Sequence, residues 1–270
     1  MRTSLRETAL QYAALIALAI VVLIPVFSFV TSALSPERSG LFVPGQLAWE
    51  NFQTAWEGAG LARAMTVSLT ICVVAVFLQL VLGILGGYGF GVLNALGAKW
   101  LYPMVLLGLM ISLEAIIVPL YYQMRDLGLT NSLPGIILIH VGMGVPFGIF
   151  WMRAAFRTLP RSLFEAARID GAGSIRMLFQ VALPLVIPAI ITYALLGFMW
   201  TWNDYFLSLV FLTGDNQPAT VALGSFQGKF LTEFNLMAAG GIIVAAPVLI
   251  LYIIFQRRFI SGMLAGAIKE

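Results

Sequence analysis

One histidine, His140, and one cysteine, Cys72, stand in 270 residues. With one of each there is no disulfide framework, no Cys- or His-based metal site, and no nucleophile–base pair to assemble an enzyme around. Charge is nearly as scarce. Asp, Glu, Lys and Arg make up 10% of the chain, well short of the roughly 25% of a soluble domain. Neither G-x-G-x-x-G nor G-x-x-x-x-G-K-[ST] occurs, so no glycine loop is available to cradle a nucleotide phosphate. These absences argue against a soluble enzyme, an ATPase and a metalloprotein.

What the chain has is apolar length. Sixty per cent of its residues are hydrophobic and the mean hydropathy is +0.96. Uncharged runs long enough to cross a bilayer need about 20 residues each. Six are expected, over residues 10–34, 64–93, 101–121, 134–156, 183–212 and 236–255, which makes 1–270 one all-α membrane domain. The first run is too long for a signal-peptide core and lacks a small-residue cleavage site, so it reads as a retained span. Gly83, Gly87 and Gly91, at i, i+4 and i+8, give the second span a face of small residues suited to close helix packing.

The fifteen basic residues orient these spans. With the N-terminus inside, Arg2, Arg6, Lys99, Arg153, Arg157, Arg161, Arg168, Arg176, Arg257, Arg258 and Lys269 are cytoplasmic. Only Arg38, Arg63, Arg125 and Lys229 are outside. Eleven against four satisfies the positive-inside rule and places both termini in the cytoplasm.

Between the fourth and fifth spans, residues 157–182 are neither apolar enough to cross a membrane nor composed like a plain connector. Ser162 and Glu165 have the S-x-x-E spacing of a capping box after Pro160. Leu163, Phe164, Ala166, Ala167 and Ile169 give the helix an apolar side, and Gly171 suits its left-handed end. Ser174 is placed to cap a second short helix running into Phe179. On composition alone two readings stay open: a helix lying on anionic lipid headgroups, or a docking element for a protein partner.

The string Glu165-Ala166-Ala167, three residues, Gly171, nine residues, Val181-Ala182-Leu183-Pro184 resembles the EAA signature of the permease subunits of bacterial ATP-binding-cassette importers. The family usually has Ile where this chain has Val181. Asn51-Phe52, VPLYYQMRDLGLTNS at 118–132, PFGIF at 146–150, WTWNDY at 200–205 and the final QRRFISGMLAGAIKE are similar to its carbohydrate-uptake branch. The resemblance implies the type I importer permease fold, with 157–182 as the coupling loop. It implies ATPase-coupling roles for Ser162, Glu165, Ala166, Ala167, Arg168, Asp170 and Gly171. It also implies that the chain binds no cofactor, ATP and Mg²⁺ belonging to a partner. The implied partners are a second homologous permease, two ATPase subunits, an extracytoplasmic solute-binding protein, a carbohydrate substrate and membrane lipid, with no nucleic acid. The implied location is the bacterial cytoplasmic membrane.

Three ionisable groups lie within the expected spans, all toward the outer side: Glu114, His140 and Asp204. Such groups are costly in a membrane and face a bundle interior or wet cavity. Around Asp204 stand Trp200, Trp202, Asn203 and Tyr205. Rings that stack on sugar faces, beside amides and carboxylates that meet hydroxyls, suit a carbohydrate passage, and Glu114 is grouped with them. The same residues equally suit helix bracing by interhelical hydrogen bonds and an interfacial aromatic belt. The rival function is a proton-coupled secondary transporter using Glu114, His140 and Asp204 as a relay.

Overall fold

Uncharged runs of Leu, Ile, Val and Ala satisfy their backbone in a bilayer only by winding into helices, and such runs in this chain are helical. The computed structural model describes residues 5–38, 40–41, 45–93, 96–228 and 232–267. Arg2, Lys229 and Lys269, which enter the charge count, lie outside the described residues. The helices are α1 (Leu5–Ala33), α2 (Glu50–Gly58), α3 (Leu61–Gly91), α4 (Ala98–Leu107), α5 (Leu113–Asp126) and α6 (Leu133–Arg157). There follow α7 (Arg161–Ile169), α8 (Ser174–Arg176), α9 (Leu183–Trp202), α10 (Phe206–Phe211), α11 (Ala219–Ala222) and α12 (Phe234–Ala267). Among the described residues β pairing is limited to one bridge between Gln227 and Thr232.

Five helical stretches are long and apolar enough to cross a membrane: Leu10–Ala33, Leu61–Gly91, Leu133–Arg157, Ser174–Trp202 and Phe234–Gln256. A sixth exists if α4 and α5 count as one broken span. Here the structure departs from the expected continuous helix over 101–121, because Ala98–Met110 and Leu113–Asp126 are bent by 99°. Ile111 and Ser112 take extended backbone between them, and the Ser112 hydroxyl is bonded to the Glu114 carboxylate rather than to the backbone of α5. The expected fifth span also differs at both ends. It begins at Ser174 and ends at Trp202, ten residues before 212.

The chain packs as two compact units, residues 1–62 with 222–246 and residues 63–221 with 247–270. In the first, Ala33, Ala55, Phe226, Ala238 and Ala239 form the core. Asn51 is buried there, donating through Nδ2 to the carbonyls of Ala33 (3.0 Å) and Ser35 (2.7 Å) and so closing the end of α1 against α2.

In the second unit α3 and α6 run in the same sense. Val67 and Ile71 share one apolar cluster with Ile136 and Ile139, and Tyr88 shares the other with Met152 and Phe156. Between the clusters the helices nearly touch through the expected glycine face. A Cβ on Gly83 would lie 3.0 Å from the Gly148 carbonyl carbon, and one on Gly87 only 2.6 Å from Met152 Cβ. Helix α9 returns alongside them. Tyr193 Oη donates to the Gly144 carbonyl at 3.1 Å, and Trp151 Nε1 donates to the Ala189 carbonyl at 2.9 Å.

Candidate functional site

The loop after α6 is built around α7, and its local chemistry differs from a capping box. Pro160 is the N-cap and the helix starts directly at Arg161, with no side-chain cap. Ser162 therefore sits inside the first turn, where its hydroxyl does not face an orphan N–H of residue 165. The other end follows the sequence closely. Gly171 has φ +75°, its N–H donates to the Arg168 carbonyl at 3.0 Å, and the Ala172 N–H donates to the Ala167 carbonyl at 2.9 Å. That bond pair is the Schellman ending.

Two side chains of α7 point inward. Phe164 (8% exposed) and Ala167 (9%) join Tyr88, Met152, Phe156, Met177, Leu178, Ala182 and Val186 in one apolar cluster. Ala167 is thus part of the anchor rather than of an outer contact face. The opposite side carries Arg161, Ser162, Glu165, Ala166, Arg168, Ile169 and Asp170, all exposed. α7 is a short helix clamped to the ends of α3, α6 and α9 by one face and open on the other.

The segment from Ser174 is not a separate short helix. It runs through a wide π-turn at Met177–Ala182 into α9, so movement of the loop acts directly on a span. Gly173, not Ser174, occupies the N-cap position. Ile169, Ile175 and Phe179 are 86%, 76% and 60% exposed.

At the other end of the unit, the residues around Asp204 are divided by their hydrogen bonds. Asn203 Nδ2 donates to the Met199 carbonyl at 2.8 Å, closing α9. Asp204 then opens α10: its carboxylate accepts from Leu207 N (3.3 Å), Ser208 N (3.0 Å) and Ser208 Oγ (2.8 Å). Trp202 is 3% exposed and stacks on Phe198 at 5.3 Å. Trp200 and Tyr205 are 54% and 45% exposed, and Phe147 meets the Trp200 ring edge-on at 5.0 Å. Glu114 is exposed at the start of α5 and bonded to Ser112. His140 and Asp204 come together; Glu114 has a different partner. Among the described residues no group of three or more metal-ligating side chains is present.

Two features lay unread in the sequence. Gln79, 3% exposed in α3, donates through Nε2 to the His140 carbonyl at 2.8 Å and sits 3.5 Å from Tyr193 Oη. These bonds tie α3, α6 and α9 together. A lone glutamine in an apolar span was the available signal. Asn131, at φ +49°, ties the loop after α5 to residues 213–216: its Oδ1 accepts from Thr213 N at 2.9 Å, and its carbonyl accepts from Asn216 Nδ2 at 2.7 Å.

Residues 79–264 match the family described as binding-protein-dependent transport system inner membrane component. The chain is 30% identical to the diacetylchitobiose uptake system permease protein NgcG of Streptomyces coelicolor, over 98% of this chain and 90% of that one. It is 31% identical to the trehalose transport system permease protein SugB of Mycobacterium tuberculosis, over 90% of each. Among solved structures, a chain of a bacterial ABC transporter involved in alginate import superposes with a TM-score of 0.81. It is 22% identical, with 96% of this chain and 99% of that one covered.

Proposed function

The chain belongs to the family of binding-protein-dependent transport system inner membrane components, and from that premise we propose that it carries a sugar or sugar-like solute into the cytoplasm. It is a multi-pass, non-catalytic membrane subunit of an importer. The sugar assignment is supported by relatives that include diacetylchitobiose and trehalose permeases. ATP and Mg²⁺ bind a partner ATPase pair, a second homologous permease completes the membrane pore, and an extracytoplasmic binding protein delivers the solute. The arginine and lysine distribution supports a cytoplasmic location for both termini. The two packing units serve as one membrane permease domain.

The observation that carries the coupling role is the two-faced build of α7. Phe164 and Ala167 hold one face in the core of the spans, while Glu165, Ala166, Arg168 and Asp170 stand exposed on the other. Gly171 ends the helix, and a few residues later the chain enters α9. A partner gripping the exposed face therefore moves α7, and with it α9, as a rigid body when ATP closes the ATPase pair. Ser162 lies on the same exposed surface and contributes contact rather than capping. On the outer side, the exposed rings of Trp200 and Tyr205, with Asn203 and Glu114, supply stacking and hydrogen bonding along the solute passage. Trp202 and Asp204 shape that passage by holding α9 and α10.

Co-purification from the native membrane tests the reading. Wild type is expected to bring down an ATPase and a second permease. Glu165→Lys combined with Gly171→Pro is expected to lose the ATPase and keep the permease. Wild type recovered alone, transporting on a proton gradient without ATP, would instead establish the secondary-transporter alternative through His140 and Asp204.

A further inference from the structure

Where α3 and α6 end, a cleft of about 520 Å³ opens beside α7. Four arginines line it, Arg153, Arg157, Arg161 and Arg168, against a single carboxylate, Glu165. Four positive charges less one negative leave the cleft at +3. Arg153 is fixed in place. Its guanidinium lies 4.0 Å over the Tyr102 ring and its Nε donates to the Phe90 carbonyl at 3.3 Å. Among the described residues, none of Arg157, Arg161 and Arg168 comes within 4.0 Å of a carboxylate oxygen. Phe156 and Phe164 form part of the wall. Such an apolar wall weakens the screening of like charges and raises the cost of leaving them unanswered.

The cleft continues into a second one. Phe90 and Arg153 line both, and the second is otherwise bordered by Leu96, Gly97, Ala98, Lys99, Trp100, Tyr102 and Pro103. Leu96 is fully exposed and Trp100 is 74% exposed, and tryptophan is a residue of the bilayer interface. A cationic pocket beside a ledge of exposed apolar and aromatic side chains, with Lys99 adding one more cation, has the two chemistries of a phospholipid. Guanidinium groups pair with phosphate oxygens, and the ledge covers the start of an acyl chain. A free phosphate has no use for the ledge. We infer that this cleft binds the headgroup of one anionic phospholipid. Because Arg161 and Arg168 belong to α7, a bound headgroup ties α7 to the membrane surface. The inference requires only that these helices cross the membrane; it does not depend on the solute carried.

The test is native mass spectrometry of the delipidated full-length protein with phosphatidylglycerol, phosphatidylcholine or inorganic phosphate added. Wild type should retain phosphatidylglycerol and not phosphatidylcholine. Arg157→Gln with Arg161→Gln should weaken retention by roughly thirtyfold, the effect of losing two surface-level cations. Arg157→Lys with Arg161→Lys should keep most of it. Arg176→Gln, whose guanidinium is bonded to Gln180 outside the cleft at 2.8 Å, should match wild type, as should the melting temperatures of all three variants. Unchanged retention in the glutamine pair would overturn the inference. So would binding of inorganic phosphate in place of lipid, or loss of a co-purified ATPase in the glutamine pair while lipid retention holds.

Discussion

His140 Nε2 lies 3.8 Å from Asp204 Oδ2, with the two side chains 9% and 12% exposed. That separation is beyond a hydrogen bond. The same carboxylate oxygen takes its bonds from the backbone N–H and hydroxyl of Ser208, at 3.0 and 2.8 Å. Asp204 is therefore committed to the start of α10, and His140 Nε2 is buried with no hydrogen-bond partner among the described residues.

Opposite outcomes follow for the two residues. Asp204→Ala strips the α10 N-terminus of an acceptor and should lower stability by about 1–3 kcal/mol, the cost of buried donors left unmade. Asp204→Asn, which keeps one acceptor oxygen, should fall between it and wild type. His140→Leu removes an unpaired polar atom and should cost less than about 1.5 kcal/mol. Thermal unfolding in detergent measures all three. A larger loss for His140→Leu than for Asp204→Ala would mean that the histidine, not the cap, organises this corner.

At the end of α7 the backbone alone demands glycine. Nothing lies within 4 Å of a Cβ built on Gly171, yet its φ is +75°. Gly171→Ala should therefore cost about 1–2 kcal/mol of left-handed strain without any clash. Gly171→Asn should cost less, because asparagine visits that region readily. ATPase recovery in co-purification should rank wild type, then Asn, then Ala. Equal recovery in both variants would show that the Schellman ending does not set the position of α7.

The α3–α6 contact gives a pair with its own control. A Cβ on Gly87 would stand 2.6 Å from Met152 Cβ and 2.7 Å from the Arg153 nitrogen, whereas one on Gly89 meets nothing within 4 Å. Gly87→Ala must push backbone against backbone and should destabilise by about 1–3 kcal/mol. Gly89→Ala removes backbone freedom at no steric cost and should be neutral or stabilising, by up to about 1 kcal/mol. Melting temperatures compared side by side decide the matter. Equal shifts would mean that the two helices do not rest on this face.

Some of this architecture is written in local chemistry. Apolar runs are helical because a bilayer leaves the backbone no other partner, so four of the six spans could be placed from hydropathy alone. The face of Gly83, Gly87 and Gly91 was readable because helix periodicity is local. Gly171 could be assigned to a helix end for the same reason. The capping box at Ser162 and Glu165 shows the limit of such reading. A four-residue spacing holds no information about where the helix begins, and with Pro160 as the N-cap it began two residues earlier.

Other features depend on residues far apart in the chain meeting in space. The link from Gln79 to Tyr193 crosses 114 positions and exists only once α3, α6 and α9 have packed. The Asn131 clasp on 213–216 is of the same kind. The arginines were visible in the sequence as an uneven distribution of charge. Their gathering around one cleft depended on where the ends of α3 and α6 meet α7. The sequence by itself determined that the chain is helical, membrane-embedded and carries a two-faced loop helix, because hydropathy and turn chemistry act over a few residues. Only the tertiary structure decided which polar groups brace the bundle and which stay free to bind. Hydrogen bonds and charges are spent or left unspent by neighbours that the order of residues does not name.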